Sequence, residues 1–388
     1  MRKNEWNEIE YDNYAAAGGS ISNETDDQGT TMQYPPLNPI EESIDHYDIE
    51  STDRVGELAK KHLQNAGDRL PYAGKYENLV SSADGVGTKI LLAQYARVAF
   101  NRPLNSIGQD VVAMVVNDLL CKGAKPLFFL DYFASSKIPN DQFHEVLAGI
   151  HSACTEIAIP LLGGETASLP GIIAETTFEV AGFGVGRIEH IEDELPKNIE
   201  ENDVVIGIKS SGFHANGFTL IRKNIGWRES GQEEFINKLL TPTKMYVQDL
   251  KLLNDTVKIK GLAHITGNGF DNIKRILPDN MEVKYDDSFL YENDYFAHAD
   301  MFRWIQEREF LTTAQMYATF NCGIGMAVIV SPDDAEMMKR SDRYGNMMKT
   351  NDEISSHHIE NGEKKAGRRV NLIDMIRMGT TAIARTYE

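Results

Sequence analysis

Three short apolar segments in the first half of the chain each end on glycine and present a carboxylate. Asn78-Leu79-Val80-Ser81-Ser82 runs into Asp84-Gly85-Val86-Gly87-Thr88-Lys89. A second segment, Asp110 to Cys121, carries Asp118 about one turn before Gly123. The third, Pro160-Leu161-Leu162, stops at Gly163-Gly164 and presents Glu165. The first and third read as strands. The second reads as a helix, because Val112, Val115, Val116, Leu119 and Leu120 share one face at about 100° per residue. Asp110, Met114, Asn117 and Asp118 fall on the other side, which predicts two carboxylates and an amide on a face the core does not need. Leu127 to Phe133 predicts a further buried strand, Gln142 to Ile157 a helix and Phe178 to Val185 another strand. Strands alternating with helices define an α/β or α+β unit.

The chain has 388 residues, enough for two domains that each bury a core. A polar stretch from Glu192 to Asn202 marks the boundary, giving an extension over 1–67 with one helix from about Thr52 to Leu63, a domain over 68–200 and a second over 201–388. Residues 1–50 are acidic and turn-rich and predict a weakly structured arm. Residues 340–369 predict a polar surface loop. The second domain opens with the strand Val204 to Ile208, followed by a loop and helix from Ser210 to Asn224, and contains a later strand, Gly323 to Val330.

Charge narrows the function. A formal net charge of -19 repels nucleic acid and anionic membranes at long range, while leaving room for a nucleotide whose phosphates are met by a metal ion and backbone N–H groups. The three cysteines, Cys121, Cys154 and Cys322, lie far apart and form no CxxC, so a disulfide framework or structural zinc is not expected. No apolar signal segment or membrane span is visible. A cytoplasmic protein is the expectation.

The chemistry-bearing residues follow from the stops. Glycines let a backbone approach phosphate closely. Asp84 offers oxygen to Mg²⁺, and Lys89 offers a point charge to a phosphate; alternatively the segment is a tight turn with an exposed lysine. Asp118 near a helix C-terminus is electrostatically unfavourable, so something positive must offset it, unless it is simply solvated. Glu165 supplies a third acid for one metal–nucleotide site. In the second domain, Ser210-Ser211-Gly212-Phe213-His214-Ala215-Asn216-Gly217 presents backbone donors between strand and helix, with His214 as an acid/base or donor candidate or a packed core histidine. His264-Ile265-Thr266-Gly267-Asn268-Gly269-Phe270 is a second glycine-rich turn, a phosphoester cradle or an ordinary connection, before a helix near Asp271. There is no P-loop and no dinucleotide fingerprint.

Taken in order, these segments resemble the phosphoribosylformylglycinamidine cyclo-ligase (aminoimidazole ribonucleotide synthetase) family. Asp118-x4-Gly123-Ala124-x-Pro126 resembles the signature of a wider ATP-binding superfamily. Ser211 to Gly217, His264 to Gly267 and Thr319 to Met326 are similar to this family in particular. The resemblance implies an α+β, two-domain fold, a homodimer whose N-terminal domains share a β-barrel, and a C-terminal α/β domain completing each site. It implies ATP-dependent cyclisation of formylglycinamidine ribonucleotide to aminoimidazole ribonucleotide in purine synthesis, with ATP and Mg²⁺ as cofactors and a small ribonucleotide as substrate. Under it, Asp84, Asp118 and Glu165 hold Mg²⁺. Gly85, Gly87, Thr88, Asn117 and Gly164 join Asp84, Asp118 and Glu165 around ATP. His214, Asp110 and Lys89 serve catalysis, and Ser211, Asn216, Thr266, Gly267 and Gly269 hold the substrate. The chain departs from the family pattern at its N-terminus, where Ala15 replaces a lysine in Tyr14 to Ile21, where Gly67 to Gly74 is a reduced glycine-rich loop, and at Ser168, which replaces an acid. Two rival readings follow: another ATP-dependent member of the superfamily, or a catalytically silent nucleotide-binding homologue.

Overall fold

A computed structural model of the chain describes residues 72–225, 232–279, 281–283 and 298–340, with four short strands outside them. Two of these, Ser22–Thr25 (β1) and Thr31–Tyr34 (β2), pair antiparallel as a hairpin within the acidic arm. The helix expected over 52–63 and most of the loop expected over 340–369 lie outside the described residues.

The first sheet has five strands in the order β3-β4-β7-β5-β6. These are Gly74–Tyr76 (β3), Leu79–Gly85 (β4), Lys125–Ser135 (β5), Leu161–Ser168 (β6) and Phe178–Arg187 (β7). Along β7 buried and more exposed residues alternate, from buried Phe178, Val180 and Gly182 to exposed Glu179 and Phe183. That is the period-two pattern of a sheet covered on one face. The cover is Asn105–Leu120 (α2), packed on β4 and β7, with Asn140–Glu156 (α3) against α2 and Lys89–Phe100 (α1) touching α2. Gly108 of α2 and Gly149 of α3 let these two helices approach: a Cβ on Gly149 would sit 2.0 Å from the Asn105 carbonyl oxygen, and one on Gly108 would sit 2.1 Å from that of Val146.

The second sheet, β12-β8-β11-β9, is antiparallel throughout. It comprises Val204–Lys209 (β8), Gly261–His264 (β9), Ile324–Val330 (β11) and Met375–Arg377 (β12), while Met281–Glu282 (β10) pairs with Ala384–Arg385 (β13). Every residue of β9 and β11 is buried, so these strands are continuous apolar runs rather than alternating ones. Around them lie Phe218–Asn224 (α4), Gln232–Leu239 (α5), Val247–Asn254 (α6), Ala299–Glu309 (α7), Thr313–Thr319 (α8) and Pro332–Arg340 (α9). The helix expected near Asp271 is a 3-10 segment over Gly269–Ile276. The chain is therefore a mixed α/β fold.

Two local expectations change. The strand β6 does not stop at Gly163-Gly164; it continues to Ser168, because its backbone pairs in parallel with β5 through Ser135↔Ser168. The polar side of α2 does not face water. Asp110, Met114 and Asn117 are buried there, because the loop before α6 and the end of β9 close over them.

Candidate functional site

The side chains brought together lie where α1 and α2 meet the second sheet. Asn117, fully buried, is gripped at both ends: its Oδ1 accepts the Tyr246 N–H at 3.1 Å and its Nδ2 donates to the Lys244 carbonyl at 2.9 Å. With the amide so oriented, Nδ2 also faces His264 Nε2 at 3.4 Å, which makes that nitrogen an acceptor. The proton of His264 then sits on Nδ1 and is donated to Asp118 Oδ1 at 3.0 Å. One imidazole from β9 thus ties the helix to the second sheet and offsets the carboxylate near the helix end.

Asp118 Oδ2 also accepts from Ser82 Oγ at 3.5 Å, and Asp84 lies beside it at the end of β4. Burial, and then the charge of Asp118, push the Asp84 carboxyl up to about 6, against the opposing pull of the Gly85 N–H, His264 and Arg275. Two hard oxygen ligands in mutual repulsion fit a divalent cation that draws its remaining ligands from phosphates and water, as Mg²⁺ does. Gly87, at φ +68, has nothing among the described residues within 4 Å of its Cβ direction, which leaves this turn open on that side. Thr88 Oγ1 lies 3.0 Å from Thr219 Oγ1 across the junction.

Glu165 does not join these acids. In register, Asp84 faces Gly182, Gly182 faces Asp131, and Asp131 faces Gly164. Three inter-strand steps of about 4.8 Å place Glu165 roughly 14 Å away. It also pairs with Tyr132, on the sheet face away from α2. Three acids therefore do not converge on one metal within a chain, and no group of three or more metal-ligating side chains occurs among the described residues. Gly164 serves packing, since a Cβ there would lie 2.4 Å from both the Asp131 carbonyl oxygen and Oδ1.

Lys89 is also placed differently from the sequence reading. Its ammonium is fully buried and spends its hydrogens on Asp110, at 3.0 Å to Oδ1 and 2.8 Å to Oδ2, the His214 carbonyl at 2.7 Å and the Thr241 carbonyl at 2.9 Å. No hydrogen is left for phosphate. Asp110 Oδ1 is further occupied by the N–H and hydroxyl of Thr243, at 2.7 and 2.6 Å. Asn117 likewise has both ends of its amide engaged, on Lys244, His264 and Tyr246.

On the other side, His214 Nε2 accepts the Ser211 N–H at 3.3 Å, leaving the proton on Nδ1. That Nδ1 and Asn216 Nδ2 are buried and have no hydrogen-bond partner among the described residues. Burial, with the Lys89 and Lys244 ammonium groups nearby, holds His214 well below the ordinary histidine range. It is a neutral donor at pH 7, not an imidazolium acid. Ser211 Oγ donates to the Pro242 carbonyl at 2.6 Å. Asn216 Oδ1 lies 3.6 Å from the Cβ direction of exposed Gly267, bringing the two glycine-rich turns together, with Thr266 half-buried beside them. Gly269 is a packing position, because a Cβ there would sit 1.9 Å from the Tyr317 carbonyl oxygen.

Sequence reasoning gave His264 only as part of a turn; its pairing with Asp118 depends on a contact 146 residues apart. It also missed Arg275, whose guanidinium carbon sits 3.9 Å over the Tyr72 ring while Nη1 donates to Asn272 Oδ1 at 3.1 Å. No periodicity or motif separated that arginine from an ordinary surface cation.

The chain matches the family models of AIR synthase related protein. The N-terminal domain model covers residues 69–188 and the C-terminal domain model residues 200–349. Phosphoribosylformylglycinamidine cyclo-ligase of Burkholderia cenocepacia (strain HI2424) is 40% identical over 301 residues, covering 73% of this chain and 83% of that one. The chain belongs to this family of cyclo-ligases. Among solved structures, thiamine monophosphate kinase from Aquifex aeolicus shares the fold at a TM-score of 0.53 and 14% identity, over 88% of this chain and 96% of that one. AaThiL complexed with AMPPCP and TMP does so at 0.54 and 13%, over 87% and 93%. No helix among the described residues is long and apolar enough to cross a membrane.

Proposed function

We propose that the protein closes the imidazole ring of aminoimidazole ribonucleotide from formylglycinamidine ribonucleotide, using ATP and releasing ADP and phosphate. The observation that carries the ATP half of this reading is the Asp84–Asp118 pair, two partly buried carboxylates that repel each other and are braced by His264. These two residues would hold Mg²⁺, which when bound offsets charge on the transferring phosphoryl group. Gly85, Gly87 and Thr88 lie next to them along the same turn and are suited to contact the nucleotide phosphates.

The substrate's amide oxygen is a poor leaving group. Its attack on the γ-phosphorus breaks the bond to ADP and leaves the carbon activated as an iminophosphate. The amidine nitrogen of the same molecule then forms the new C–N bond, the C–O bond breaks, and phosphate departs with its electrons. Because ring closure is intramolecular, holding the substrate folded supplies much of the rate. His214 Nδ1–H and Asn216 Nδ2–H, both buried without partners among the described residues, are suited to donate to the substrate, and Thr266 and Gly267 to hold its phosphate.

The homodimer belongs to this reading. The sheet face away from α2 carries Leu79, Phe183 and Tyr132, each about two-fifths exposed, on three neighbouring strands. An apolar sheet face of this kind calls for a partner. A second copy there would cover it and would lie on the side where Glu165 projects.

One observation favours the silent-homologue reading: Ala15 stands where the family has a lysine, and Lys89 has no hydrogen free to replace it. Purified chain with Mg²⁺-ATP and formylglycinamidine ribonucleotide separates the two. The cyclo-ligase reading expects ADP and aminoimidazole ribonucleotide in equal amounts. ATP binding without substrate-dependent ADP would sink it in favour of the silent homologue.

A further inference from the structure

We propose that Lys89 and Asp110 are a positioning pair that fixes His214, and with it the turn from Ser210 to Gly217, in the geometry the substrate side of the site requires. The inference rests on the role given to His214 above. It replaces direct action of either residue on nucleotide or substrate.

The geometry is a hub. Lys89 opens α1, Asp110 lies on α2, His214 follows β8, and Thr241 to Thr243 precede α6. One buried ammonium gathers all four through bonds of 2.7 to 3.0 Å. The Asp110 carboxylate then fixes Thr243 by two more. Burial lowers the Lys89 ammonium and raises the Asp110 carboxyl, and each partner's charge opposes both shifts. What offsets the burial is the ion pair itself together with the bonds gathered on the Lys89 ammonium and on Asp110 Oδ1.

What the hub holds is strained. His214 sits at φ +61, in the left-handed region that an L side chain rarely adopts. Its carbonyl is the group that Lys89 grips. In that conformation the ring folds back so that Nε2 meets the Ser211 N–H, which fixes the proton on Nδ1. The ring passes Gly325 so closely that a Cβ there would lie 2.3 Å from Cε1. A backbone held in a sparsely populated region, carrying a buried donor without a partner among the described residues, is over-determined by its surroundings. Lys89 is the charged part of those surroundings.

The test uses full-length protein with Lys89→Met and Asp110→Asn together. The double change leaves no unpaired charge, and the amide oxygen introduced by Asp110→Asn still accepts from Thr243, so the fold is kept while the His214 carbonyl loses its ammonium. Histidine side-chain ¹⁵N NMR, assigned with His214→Gln, reports the tautomer directly. The wild type should show His214 protonated on Nδ1 alone. The double variant should show a mixture, with kcat lowered about tenfold or more and KM for Mg²⁺-ATP within about twofold, the split expected when only positioning for the reacting state is lost. Lys89→Gln with Asp110→Asn returns amide donors to the same carbonyls and should recover part of both readouts. If the methionine variant fails to fold, the glutamine variant decides alone: a partial loss of the Nδ1 preference supports the proposal, and a folded protein with wild-type tautomer and kcat overturns it. A methionine variant with wild-type tautomer overturns it too, whatever its kcat, and reduces the pair to structural glue. Should the wild type not turn over at all while the tautomer responds as stated, the positioning pair stands and the cyclo-ligase reading fails.

Discussion

Asp118 would be misplaced in an isolated helix, where a carboxylate in the last turn opposes the helix dipole. Here the Nδ1–H of His264 meets it, and Asp84 adds a second carboxylate beside it. We expect Asp118→Asn to weaken Mg²⁺-dependent ATP binding by about tenfold or more, roughly 1.4 kcal/mol; titration calorimetry with and without Mg²⁺ reads it, and equal affinities would remove Asp118 from the metal site. His264→Ala would strip a partner from Asp118 and from Asn117 at once. A hydrogen bond to a charged group contributes about 1.5–3 kcal/mol, so a loss of that order in urea denaturation is the expected outcome, alongside weaker ATP binding. Asp84 and Asp118 were legible as candidate site residues because each sits at a glycine-marked stop. Lys89 was not legible in its true place. Nothing in Asp84 to Lys89 distinguishes an exposed lysine from one that points inward to Asp110, since the partners arrive from the second unit.

Among the elements, α2 shows what periodicity can and cannot give. Its apolar face was visible in the spacing of Val112, Val115, Val116 and Leu119, and those residues are buried. The polar face carried no sign of the Asn117 grip on Lys244 and Tyr246, because that grip depends on a loop far along the chain. The α2–α3 crossing is set by glycines instead of by large side chains. Gly149→Ala would drive a Cβ into the Asn105 backbone, which has no rotamer to yield. Overpacking of this kind costs about 1–3 kcal/mol, and we expect a drop of that size in unfolding free energy; an unaltered denaturation midpoint would show that the helices can part at no cost. The strand β6 teaches a related lesson. Paired glycines read as a stop, yet pairing with β5 carries the strand on through Glu165 to Ser168.

At the scale of the molecule, the proposed dimer rests on the exposed face of the first sheet. Phe183→Glu, which sets a charge at the centre of that face, should convert a dimer into a monomer in sedimentation velocity while leaving the fold's circular dichroism in place. A wild-type chain that sediments as a monomer would remove the dimer reading.

The sequence by itself determined the alternation of strand and helix, the carboxylates at glycine stops and the two glycine-rich turns. Each is a local property, written in spacing and residue type. The tertiary structure decided which polar groups are partners. It gave Lys89 to Asp110 and His214, gave Asp118 to His264, and sent Glu165 to the opposite face of the sheet. Strand register and side-chain burial set those pairings, and most of them join residues far apart in the chain, where local pattern carries no information about which groups will meet.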